Sequence, residues 1–129
     1  RCGMQAPVVL AVTVLTSIGG DEWARLGQVE PVNKAVLRLA QLTQEAGLQG
    51  VVASPQEAAA IRQACGKDFA IVTPGIRPAG VSVDDQQRVA TPASALAAGA
   101  SHLVIGRPVT KAEDPLAALR RLAAEMEGA

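Results

Sequence analysis

The sequence predicts an α/β fold with parallel strands, and three features predict it. Short apolar runs alternate with amphipathic stretches of helical period along the chain. Residues that cap or close helices fall where one pattern gives way to the other. The apolar runs are rich in β-branched residues and short enough to be strands. Such alternation sets strands side by side and parallel, joined by right-handed crossovers through the helices.

Taken in order, Val8-Val9-Leu10-Ala11-Val12-Thr13-Val14 is a near-continuous β-branched run, the pattern of a strand buried on both faces. After a Gly19-Gly20 turn, residues 21–26 can form a short helix. Asn33 is expected to cap a longer one, in which Val36, Leu37, Leu39, Ala40, Leu42 and Ala46 recur at helical spacing until Gly47 closes it. Residues 50–53 form a second short strand. Ser54-Pro55-Gln56-Glu57 then opens a helix, with Ser at the cap, Pro at the first position and a carboxylate in the capping-box place; it runs to about Cys65, and Gly66 ends it. Residues 69–72 are the third strand. Following a long connection, Thr91-Pro92 caps a helix that Gly99 closes. Residues 102–105 are the fourth strand, and Asp114-Pro115 starts a last amphipathic helix to about Met126. These four βα units make either a small open sheet or half of an eight-stranded barrel. A complete barrel takes about 250 residues, roughly twice the 129 present.

That length suits one domain over residues 1–129, and 49% apolar with 19% charged residues is enough to form a core. Twelve basic residues balance twelve acidic ones, which argues against nucleic acid as a partner, because phosphate binding over a broad face needs clustered positive charge. With Trp23 and Phe69 as the aromatics, base-stacking platforms are equally unexpected. Cys2 and Cys65 stand far apart with no metal-ligand spacing, so no metal site is expected, and both read as reduced thiols of a cytoplasmic protein. No run approaches the roughly 18–20 apolar residues of a membrane span. The chain begins at Arg1 rather than Met and enters a strand almost at once, the expectation being a truncated or processed polypeptide.

In α/β proteins, function gathers at the carboxyl ends of the strands. Those ends read Thr16-Ser17, Ser54-Pro55, Thr73-Pro74-Gly75 and Gly106-Arg107-Pro108. The third is followed by fifteen residues, 76–90, before the next helix, whereas ordinary βα connections take about 2–6 and longer ones are usually functional. This connection carries Arg77, Gln86, Gln87 and Arg88, all able to donate to anionic oxygens. After the fourth strand, Gly106 lets a ligand approach the backbone N–H, and Arg107 offers a planar fork for phosphate. A short helix starting near Pro108 would aim its positive end at the same place. If the last two strands are the seventh and eighth of a barrel, these loops occupy its usual phosphate site. The half-barrel is therefore favoured over the open sheet.

Four blocks carry a family resemblance: Ala11-Val12-Thr13-Val14-Leu15-Thr16-Ser17, Val72-Thr73-Pro74-Gly75-Ile76-Arg77-Pro78, Asp85-Gln86-Gln87-Arg88-Val89-Ala90-Thr91-Pro92 and Val104-Ile105-Gly106-Arg107-Pro108-Val109-Thr110. In order and spacing they resemble successive signatures of bacterial orotidine 5′-phosphate decarboxylases, over essentially the whole chain. The resemblance implies the C-terminal half of a TIM (β/α)8 barrel with the N-terminal half absent, a cytoplasmic lyase of pyrimidine biosynthesis, a homodimer, and orotidine 5′-phosphate or uridine 5′-phosphate as ligand, with no metal or organic cofactor. By that resemblance Thr16 contacts the pyrimidine ring, Gln86 bridges the phosphate and base sides, Arg77 is a further ligand contact, Gly106 and Arg107 hold the 5′-phosphate, and Pro74 and Gly75 form the loop's hinge.

One departure is large. The family's reaction centre is an Asp-x-Lys-x-x-Asp stretch with another lysine and aspartate, and it acts through a fixed charge array whose lysine protonates carbon. Here Lys34, Lys67 and Lys111 are the only lysines, and none has that context. The chain therefore carries the grip on phosphate without the proton donor, and no catalytic residue is expected in it.

Plainer roles stand beside these. Arg107 could pair with Glu113 or Asp114, Arg77 could brace its loop, Thr16 could satisfy backbone groups at a strand end, and Gln86 could be loop polarity. Asp84-Asp85 reads as solvated rather than as an acid–base pair, His102 as structural, and Gln44, Glu45, Arg120 and Arg121 as solvated helix faces. Two other functions remain open: another phosphate-binding barrel enzyme acting on sugar phosphates, or a non-catalytic half-barrel that binds phosphate or assembles with a partner half. Unpaired edge strands predict pairing with the missing half or with a second copy.

Overall fold

Each apolar run pairs with the next one in sequence, giving a four-stranded parallel sheet of order β1-β2-β3-β4. The computed structural model describes residues 6–78 and 88–127. Along the chain run β1 (Leu10–Val12), α1 (Gly20–Arg25), α2 (Val32–Glu45), β2 (Gly50–Val52), α3 (Ala58–Cys65), β3 (Ala70–Thr73), α4 (Pro92–Ala97), β4 (His102–Leu103), α5 (Arg107–Thr110) and α6 (Pro115–Glu127). The expected βα alternation is present in full, with two helices after β1 and two after β4.

In register, Ala11, Val51 and Ile71 lie side by side, as do Val12, Val52, Val72 and His102 on the alternate face. The first row meets the helices: Val51 and Ile71 are fully buried against a cluster that includes Val36 and Ala40 of α2 and Ile61 of α3. A second cluster joins Ile76, Ala95 and Ala100, with Leu103 and Ile105 packed on it. The alternate face is not covered in the same way, for Val12 is 60% exposed and Val104 51%. This corrects the expectation that the first run is buried on both faces. β1 is an edge strand, shorter than residues 8–14, and one of its faces is open.

Local chemistry explains where elements begin. Thr91 caps α4, its hydroxyl accepting from the Ser94 amide at 3.2 Å, and Asp114 accepts from the Ala117 amide at 2.9 Å before α6. Gly47 follows the last turn of α2 with φ of 80°, where a side chain would be strained. Two caps differ from expectation. Pro31 rather than Asn33 precedes α2, and the Asn33 carboxamide accepts from the neighbouring Lys34 amide. α3 starts at Ala58, not beside Ser54, because residues 55–57 form a separate turn in which Ser54 Oγ accepts from the Gln56 amide. Gln44 is not simply a solvated residue either: its Nε2 donates to the Cys65 carbonyl at 2.7 Å, tying α2 to the end of α3.

Candidate functional site

Parallel strands place all their carboxyl ends at one edge of the sheet, so the segments after β1, β3 and β4 share that edge. Thr16 lies there, two residues beyond Val14, and is 6% exposed. Its local path is set by a turn in which the Ile18 amide donates to the Leu15 carbonyl at 3.0 Å.

The connection after β3 is closed at its base. Ile76 bridges Ala90 in parallel, and the Arg77 amide donates to the Ala90 carbonyl at 2.9 Å. Gly75 turns the chain out of β3 with φ of 76°, a conformation that requires glycine. Arg77 itself is buried, and its Nη1 donates to the carbonyl of Ile76 at 2.8 Å, so part of its guanidinium braces the loop. Gln86, the other residue expected in this connection, lies outside the described residues, as do Asp84, Asp85 and Gln87.

Beyond β4, Gly106 is the N-cap of α5, so the expected short helix exists and begins at Arg107. A Cβ at Gly106 would meet no atom within 4 Å, so packing among the described residues does not account for the glycine. Arg107 is half-buried and the first residue of that helix.

Arg88, expected among the donors to anionic oxygens, meets such an oxygen within the protein itself. Its Nη1 sits 2.7 Å from Glu57 Oε1, with the two side chains only 6% and 4% exposed. Its Nη2 donates to the carbonyls of Val14 and Leu15 at 3.2 and 3.1 Å. Both terminal nitrogens of the guanidinium are therefore engaged by protein acceptors. Glu57 correspondingly does not complete a capping box with Ser54; its carboxylate turns toward Arg88 instead. Sequence reasoning missed the pair because its members lie in two different loops, and no spacing rule links positions that far apart.

At the opposite end of the sheet, burial pushes the Cys65 thiol above its ordinary pKa, with the Arg62 cation opposing the shift. Among the described residues, no group of three or more His, Cys, Asp or Glu side chains is placed to hold a metal ion, and no helix is long and apolar enough to cross a membrane.

The model of the orotidine 5′-phosphate decarboxylase / HUMPS family matches residues 3–122. The chain belongs to that family. It is 58% identical to the orotidine 5′-phosphate decarboxylase of Moorella thermoacetica over 123 residues, covering 95% of this chain and 49% of that protein. It is 57% identical to the enzyme of that name from Nitrosococcus oceani over 120 residues, covering 93% and 52%. The crystal structure of orotidine 5′-phosphate decarboxylase from Lactobacillus acidophilus superimposes with a TM-score of 0.78 at 38% identity, over 98% of this chain and 52% of that one. The chain thus spans about half the length of the curated relatives it matches, and its four βα units correspond to half of the family's barrel.

Proposed function

We propose that this chain supplies the phosphate- and base-binding loops of an orotidine 5′-phosphate decarboxylase, as the C-terminal half of its barrel, and does not supply the lysine–aspartate reaction centre. The observation that carries this reading is the gathering of Thr16, Arg77 and Gly106–Arg107 at the carboxyl edge of one parallel sheet, in a chain whose relatives bear that enzyme's name. β1 and β4 are three strand spacings apart, roughly 14 Å at about 4.8 Å each. Such a separation suits an elongated ligand held at both ends, with Arg107 and the Gly106–Arg107 backbone at the 5′-phosphate and Thr16 at the pyrimidine. Gln86 would bridge the two, Arg77 would assist from the base of its loop, and Pro74–Gly75 would hinge it.

Grip far from the reacting carbon contributes to rate when it stabilises the closed, water-excluded state. The proton donor and charge array must come from elsewhere, since Lys34, Lys67 and Lys111 all lie exposed on or beside helices or at the turn before β3. We propose accordingly that the working assembly includes a complementary half-barrel or a second copy, acts in the cytoplasm, and converts orotidine 5′-phosphate to uridine 5′-phosphate.

Carbon dioxide release from orotidine 5′-phosphate tests this directly. The 129 residues alone should give none, and the same residues joined to the N-terminal half of the Moorella thermoacetica enzyme should give turnover that Arg107→Ala abolishes. Activity of the isolated chain, or a joined protein indifferent to Arg107→Ala, would sink the assignment.

A further inference from the structure

Arg88 and Glu57 form a buried ion pair that the binding roles above do not use. Burying two charges is costly, and a buried pair adds little stability over well-packed apolar residues of the same volume. Its effect is better sought in what the pair holds still. The guanidinium reaches three acceptors on two segments: Glu57 Oε1 at the start of α3, and the Val14 and Leu15 carbonyls just past β1. On the main-chain side, the Ser54 hydroxyl lies 3.5 Å from the Arg88 carbonyl, and two residues on Ala90 accepts from the Arg77 amide. Arg88 is therefore the point at which the ends of β1, β2 and the long connection meet. The next residue after its two β1-side acceptors is Thr16.

We infer that Arg88, oriented by Glu57, is a positioning residue: by fixing the Val14 and Leu15 carbonyls it sets where Thr16 stands on the base side of the ligand. This rests on the proposed role of Thr16, and extends it to the buried pair behind it. Only a planar fork can serve these acceptors together, so lysine, a point charge on a flexible stem, is a poor replacement.

The test uses the 129-residue chain with Arg88→Met, Arg88→Lys and Glu57→Gln, read by amide hydrogen exchange and by titration with uridine 5′-monophosphate and with inorganic phosphate. Losing a charge-assisted bond should speed exchange at Ile18, whose amide closes the turn onto Leu15, by about tenfold relative to Val51 and Ile71 in mid-sheet. Nucleotide affinity should fall about tenfold while inorganic phosphate, held at the β4 edge, binds as before. Arg88→Lys should restore neither. Glu57→Gln keeps the guanidinium and a carbonyl acceptor, and provides a folded intermediate case if Arg88→Met does not fold. Loosening spread evenly over the sheet, or equal losses for nucleotide and phosphate, would overturn the inference. If the unaltered chain takes up neither probe, the ligand reading fails by itself, and the local exchange pattern alone decides whether Arg88 places Thr16.

Discussion

Arg62 directs its guanidinium at the backbone of two turns. Nη1 donates to the carbonyls of Gly66, Lys67 and Phe69 at 2.7, 3.0 and 2.7 Å, while Nε and Nη2 donate to the Gly99 carbonyl at 3.1 and 2.8 Å. The turns leading into β3 and β4 are thus pinned to α3 at the amino edge of the sheet. Arg62→Met should lower stability by about 2 kcal/mol, seen as a reduced urea midpoint, because it strips several carbonyls of a charged donor. Phosphate binding should be unaffected, since the proposed site is at the other edge. Cys65 lies nearby, and its raised pKa means that the folded state holds the thiol proton more tightly than the unfolded chain does. Its contribution to stability is therefore complete below the unfolded thiol's pKa and is lost as pH rises through the higher folded value. The urea midpoint should fall on going from neutral to alkaline pH, and Cys65→Ala should lack that component. Alkylation of Cys65 by iodoacetamide should likewise need a higher pH than a free cysteine and speed up in urea.

Among the elements, β2 carries a tight backbone constraint. A Cβ at Gly50 would overlap the carbonyl oxygen of Ala70 and lie 2.6 Å from its Cβ, so β2 and β3 pack closely only because this position has no side chain. Gly50→Ala should cost about 1–3 kcal/mol, like other overpacked sites, with the loss read from thermal or urea unfolding. The start of α4 is held more lightly. Removing the Thr91 hydroxyl with Thr91→Ala should cost about 1 kcal/mol. These two substitutions separate a backbone constraint from a capping contribution within one sheet and its helices.

Over the whole molecule, the decisive feature is the sheet face that the helices leave open. Parallel sheets are normally covered on both sides, yet Val12 and Val104 on the alternate face are each more than half exposed. In a closed barrel that face would form the interior, and its edge strands would be paired. The isolated chain should accordingly associate: light scattering should give a mass above the 13.2 kDa of one chain, and Val12→Lys should weaken that association. A cooperatively folded species of one chain's mass would contradict the expectation of a partner half or second copy.

The order of elements was legible in the sequence because it depends on local properties: β-branched runs, helical period, and caps such as Thr91 and Asp114 act within a few residues of themselves. The carboxyl-edge location of Thr16, Arg77 and Gly106–Arg107 followed as well, since parallel strands leave those residues no other edge. Three things depended on the tertiary structure. One is the open face of β1, because a hydrophobic run records what a strand can bury and not what covers it. Another is the Pro31 start of α2, which leaves Asn33 inside the first turn with its carboxamide on the neighbouring Lys34 amide. The last is the Arg88–Glu57 pair, since an ion pair between two loops is created by the fold that brings them together and leaves no periodic trace in the chain.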